Sequence, residues 1–135
     1  MSNSTKVVVT FGTFDVFHIG HLNILKRAAA YGDRLYVGVS SDRLNLEKKG
    51  RSPIYPEPER LEIVRQMKPV TDVFVEDSLD LKGQYLREHN ADVLVMGDDW
   101  AGKFDHFSDI CEVVYLPRTE GISTTETIHK IKKYE

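Results

Sequence analysis

Five short runs of β-branched and apolar residues recur along the chain, at 6–12, 34–39, 70–75, 92–96 and 112–116. Runs of this length and composition predict buried strands. Between them the apolar spacing changes to three and four residues, in Leu22, Leu25, Ala28 and Ala29 after the first run and Leu61, Val64 and Met67 before the third. That spacing predicts helices, one over 22–31 ending at Gly32, another over 81–89 and a last one through Ile128 and Ile131. Strands alternating with helices imply right-handed crossovers and a parallel sheet. The expectation is therefore an α/β, doubly wound, Rossmann-like domain whose ligands bind beyond the carboxyl ends of the strands. With 135 residues and no repeat or linker-like tract, the chain is expected to be one domain over 1–135, with the polar residues 1–5 flexible. Two segments interrupt the alternation and are expected to be functional loops. One is 45–58, with Lys48, Lys49, Arg51 and three prolines, and the other is 97–109, rich in Gly, Asp and aromatics.

Charge narrows the partners. Eighteen Lys plus Arg against 21 Asp plus Glu leave a net charge of −3, which argues against a nucleic-acid binder relying on general phosphate neutralisation. An anionic ligand must be held by a local site. No apolar run is long enough to span a membrane and the opening residues do not read as a signal peptide, so a cytoplasmic location without membrane contact is expected. The single cysteine, Cys111, heads an apolar run and reads as a small core residue.

The first strand runs into Gly12-Thr13-Phe14-Asp15-Val16-Phe17-His18-Ile19-Gly20-His21, which opens a helix. A helix N-terminus offers unpaired N–H groups and partial positive charge, and Gly12 and Gly20 allow close backbone approach, so the turn is a plausible phosphate seat. His18 and His21 can both point at that seat and donate to phosphate oxygens, more strongly when protonated. The same spacing also suits a pair of hydrogen-bonded, partly buried histidines, or two of the ligands of a zinc ion, for which no further ligands are evident. Asp15 can cap the local backbone or help hold Mg²⁺ beside phosphates. Near the other end, Ser123, Thr124 and Thr125 follow Gly121 and precede a helical pattern, marking a second helix N-terminus. Trp100, Phe104 and Phe107 can form a satellite cluster or stack on a base.

Thr13-Phe14-Asp15 followed by His18-Ile19-Gly20-His21 resembles the HxGH signature of the nucleotidyltransferase superfamily. Arg118-Thr119-Glu120-Gly121-Ile122-Ser123-Thr124-Thr125 resembles the second signature of its cytidylyltransferases, and Val95 to Trp100 the segment before it. The resemblance extends from Val7 to Ile131 and points to the glycerol-3-phosphate cytidylyltransferases. It implies transfer of CMP from CTP to a small alcohol phosphate with Mg²⁺, by in-line attack on the α-phosphorus, in a homodimer. His18, His21, Lys48 and Arg118 would be catalytic. Thr13, Phe14, Asp15, Gly97, Asp99, Trp100, Arg118, Thr119, Gly121, Ile122, Ser123 and Thr124 would bind the nucleotide. In the order 3-2-1-4-5 expected of a doubly wound sheet, strands one and four are neighbours, so both signatures face one crevice.

On the acceptor side the chain departs from this pattern. Lys48 matches the first of two family lysines, but Gly50 stands at the second, leaving Lys49 or Arg51 to substitute. Arg60 matches a phosphate-binding arginine, Lys68 and Thr71 lie where arginine and aspartate are usual, and the family tryptophan after strand three is missing. Lys48, Lys49, Arg51, Arg60 and Lys68 are thus the expected acceptor-binding set. Rival readings are a different phosphorylated acceptor in surface-polysaccharide synthesis, ATP as donor, a non-catalytic nucleotide binder, and a zinc hydrolase.

Overall fold

A computed structural model describes residues 5–134. Five strands form one parallel sheet: β1 (Val7–Gly12), β2 (Arg34–Ser40), β3 (Asp72–Glu76), β4 (Val93–Gly97) and β5 (Glu112–Leu116). Their spatial order is β3-β2-β1-β4-β5, as expected. Five helices complete the domain: α1 (Ile19–Ala29), α2 (Asp42–Lys49), α3 (Glu57–Arg65), α4 (Lys82–Glu88) and α5 (Thr124–Lys133). Alternation along β1 explains why both faces are covered. Val8 joins Leu25, Ala28, Val37, Val64 and Val95 on one face, while Val9 and Phe11 join Leu86, Leu94, Met96 and Cys111 on the other. Burial of this kind contributes about 25 cal/mol per Å² of apolar surface, enough to fix which way each strand faces.

Crossovers leave β1 toward β2 on one side, and β4 lies on its other side, so the crevice opens at the carboxyl ends of β1 and β4. Three sequence expectations need correction. The helix after β1 starts at Ile19, three residues earlier than its apolar spacing suggests, because His18 caps it. Half of 45–58 is helix. Ser41 caps α2 by accepting from Leu44 N–H, the helix runs to Lys49, and Gly50 ends it with φ of 73°, so the true loop is only the stretch before Glu57. The 97–109 segment contains short 3-10 turns at Asp98–Trp100 and Asp105–Asp109. Of the opening expected to be flexible, residues 1–4 lie outside the described residues, and Thr5 is exposed. Among the described residues, no helix is long and apolar enough to cross a membrane.

Candidate active site

A cleft of about 850 Å³ lies at the strand carboxyl ends, bounded by the β1–α1 turn, the last turn of α2, the β4–β5 connection and the start of α5. His18 and His21 form a reciprocal cap at its centre. His18 Nδ1 accepts from Gly20 N–H at 3.0 Å and His21 Nδ1 accepts from His18 N–H at 3.1 Å, so each ring spends its Nδ1 lone pair on a backbone donor. A nitrogen that accepts carries no proton. Both rings are therefore neutral Nε2–H tautomers, and each keeps one donor free of the cap. The rings stack with centroids 3.8 Å apart, and Phe14 and Phe17 pack on His21. Burial, then the neighbouring His18 ring, pushes His21 down to about 4. His18 is lowered as well, by burial and then by Arg118. With both Nδ1 atoms accepting and both rings lowered, the donors this geometry offers to the cleft are Nε2–H groups. Gly20 is needed for this packing, since a Cβ there would lie 2.9 Å from the His18 ring and 3.3 Å from Ile122.

The turn feeding this cap is strained. Phe14 and Val16 have φ of 56° and 46°, a region that is unfavourable for a β-branched residue. The Asp15 carboxylate between them holds the shape. It accepts from Val16 N–H at 3.0 Å and, across the cleft edge, from Ile54 and Tyr55 N–H at 2.8 Å each. Asp15 also ties in α5: Thr124 Oγ1 donates to its carbonyl at 3.0 Å and lies 3.4 Å from His18 Nε2. Both carboxylate oxygens thus serve the loop, Oδ1 taking two backbone N–H groups and Oδ2 one. No group of three or more acidic, histidine or cysteine side chains converges as cation ligands among the described residues, which removes the basis for a zinc centre.

The second signature lies opposite. Arg118 follows β5 and pairs with Asp99 at 3.1 Å, both side chains more than half exposed, so the pair adds little stability but keeps the guanidinium at the cleft. Thr119 accepts from Asn23 Nδ2 at 3.0 Å, and Ser123 caps α5 by accepting from Glu126 N–H. Ile122, Ser123, Thr124, Gly97 and Trp100 line the cleft. Gly121 does not; its φ of 76° lets the chain turn into α5. Trp100 packs on Phe104, and Phe104 on Phe107, so the aromatic cluster exists and its outer member also faces the cleft.

On the acceptor side, Lys48, Lys49 and Arg51 reach the cleft, and partial desolvation lowers Lys48. Two expected members do not. Arg60 is wholly buried beneath the β1–α1 turn, donating to the carbonyls of Thr13, Ser40 and Tyr55 and to Asp42 Oδ1 at 2.7–2.9 Å. A guanidinium so engaged shapes the turn and has no free fork for a ligand. Lys68 is exposed just before β3, at the amino ends of the strands and away from the cleft. In their place the structure brings in Glu76 and Lys82, which the sequence reading missed. Glu76 ends β3, Lys82 opens α4, and they pair at 2.6 Å with both side chains almost fully buried at the cleft wall. A lysine four residues before Leu86, on the inward face of α4, was the available signal.

Comparison with known proteins places these features in a family. Residues 9–130 match a family model described as cytidylyltransferase-like. The chain is 48% identical to the glycerol-3-phosphate cytidylyltransferase of Bacillus subtilis (strain 168), over 93% of this chain and 97% of that protein. It is 42% identical to the enzyme of the same name from Staphylococcus aureus (strain NCTC 8325 / PS 47), over 90% and 91%. Among solved structures, a lipopolysaccharide core biosynthesis protein from Thermoplasma volcanium GSS1 superposes with a TM-score of 0.77 at 25% identity, covering 87% of this chain and all of that one.

Proposed function

We infer that this chain, which belongs to the cytidylyltransferase-like family and is a nucleotidyltransferase, transfers CMP from CTP to glycerol 3-phosphate, giving CDP-glycerol and pyrophosphate. The observation that carries this reading is the convergence of two neutral imidazole donors, Thr124 and Arg118 on one side of a cleft with Lys48 and Lys82 on the other. In the reaction, a phosphate oxygen of glycerol 3-phosphate attacks the α-phosphorus of CTP in line. The bond from that phosphorus to the bridging oxygen of the β-phosphate breaks, and pyrophosphate leaves with the bond's electron pair. No enzyme nucleophile is needed, so catalysis rests on positioning and on fixed donors where charge develops.

The His18 and His21 Nε2–H groups donate to the triphosphate, and Arg118 lies where it can neutralise charge moving toward the leaving group. The base and ribose occupy the side formed by Gly97, Asp99, Trp100, Thr119 and Ile122. Lys48 and Lys82, with Lys49 and Arg51 at the rim, receive the acceptor. Magnesium enters as part of the substrate, carried by the triphosphate. The test is Mg²⁺-dependent pyrophosphate release from CTP, and separately from ATP, against a panel of small phosphates including glycerol 3-phosphate. Release with CTP and glycerol 3-phosphate is expected. Release only with another phosphate would reassign the acceptor, and CTP binding without release across the panel would overturn the enzymatic reading.

A further inference from the structure

The buried pair at the end of β3 has a geometry that burial alone does not explain. Lys82 comes from the first turn of α4, and its ammonium sits 3.7 Å from the Phe11 ring centroid and 5.2 Å from that of Phe104 while pairing with Glu76 Oε2 at 2.6 Å. The other carboxylate oxygen of Glu76 takes the Ser40 hydroxyl at 3.4 Å. An ion pair this deep gains little stability over an apolar pair of similar size, so its presence at a cleft wall calls for a role in the site. Both residues line the same cleft as Lys48. The charges bearing on Lys82 are Glu76 from β3, which favours its charged form, and Lys48 from α2, which opposes it. Glu76 also favours the charged form of Lys48. A single buried carboxylate thus serves as counter-charge to two lysines.

We infer that Glu76 is the positioning residue of the acceptor subsite, holding the Lys82 ammonium charged and aimed into the cleft so that it receives the acceptor. The assignment rests on the cleft being that of a CTP-dependent transferase, but its first readout does not. Burial works against the charged form of Lys82, so a Glu76→Gln variant, isosteric but uncharged, removes what opposes that loss. Side-chain nitrogen NMR of Lys82 should then show deprotonation at lower pH in Glu76→Gln than in the wild type, whether or not an assay is available. In steady state, the variant should show a rise of about tenfold or more in KM for glycerol 3-phosphate at pH 7.5, with the CTP dissociation constant unchanged. That KM should climb further as pH rises, at lower pH than in the wild type.

The paired variant Glu76→Gln/Lys82→Met buries no unpaired charge and keeps the test decisive if the single variant folds poorly. It should reproduce the KM defect without the pH dependence. Wild-type KM for the acceptor in the double variant, or an unmoved Lys82 titration in Glu76→Gln, overturns the proposal. A parallel loss of CTP affinity would likewise overturn it, by marking the pair as structural. Failure of the wild type to turn over glycerol 3-phosphate, with the Lys82 titration displaced as expected, would count against the choice of acceptor and leave the positioning role intact.

Discussion

Acidification should destabilise this protein through the His21 ring. His21 protonates at about 4 in the folded chain, against 6.5 for an ordinary histidine. Between those values the unfolded chain holds a proton that the folded chain does not, so stability falls as pH falls across that window and is fully present only above it. The difference amounts to about 2 kcal/mol by pH 5 and about 3 kcal/mol by pH 4. The cause is local: protonating His21 Nδ1 would force it to give up the His18 N–H it accepts, and would place charge beside Phe14, Phe17 and the stacked His18 ring. The control is His21→Gln, which does not titrate and, as the third residue of a capping box, can still accept that N–H. Urea unfolding followed by circular dichroism at pH 7.5, 6 and 5 should show the wild type losing about 2 kcal/mol more than His21→Gln over the range. Parallel losses, or an His21 ring proton resonance that titrates near 6.5, would refute the reasoning.

Other outcomes follow from the same geometry. Removing either ring, His18→Ala or His21→Ala, should lower turnover at saturating CTP by roughly two to three orders of magnitude in a chain that remains folded, since each loses an aimed donor; near-normal turnover would remove them from the catalytic set. Asp15→Asn keeps an acceptor oxygen but turns an amide toward a backbone N–H, so limited proteolysis should cut between Gly50 and Pro56 faster than in the wild type, and an unchanged cutting rate would show that the clamp does not hold the loop. Arg60→Met should cost about 3 kcal/mol or more in unfolding stability, because three carbonyls and Asp42 lose a buried partner. Lys68→Ala should leave acceptor KM within about twofold, as expected for an exposed residue far from the cleft.

The sheet was legible because its signal is spread over many residues. Five apolar runs separated by helical spacing can be satisfied only by burying both faces, and Val8 and Val9 pointing to opposite layers show the same rule at one pair. The nucleotide side was legible for a different reason, since the HxGH turn and the Arg118–Thr125 segment each sit at a helix start where few backbone shapes are open. What the sequence hid was which polar side chains look inward. Arg60 and Lys82 are both cations on short helices, yet one is enclosed beneath the turn and the other reaches the cleft wall. Their partners, Thr13, Ser40, Tyr55 and Asp42 for Arg60 and Glu76 for Lys82, are six or more residues away in sequence except for Tyr55, so no local pattern announces the pairing. Helix α2 is the opposite case: Ser41 as cap, two lysines in the last turn and Gly50 after them spell a helix, but the prolines beyond it drew the reading toward loop.

Asp15 joins three parts of the molecule that lie far apart in the chain. Its carboxylate holds residues 54 and 55, its own N-terminal and C-terminal neighbours are bent into a costly conformation, and its carbonyl carries Thr124 at the head of α5. A residue wired this way is a common anchor: the rim at 54–55 and the helix start beside the histidines are both referenced to one point of the chain.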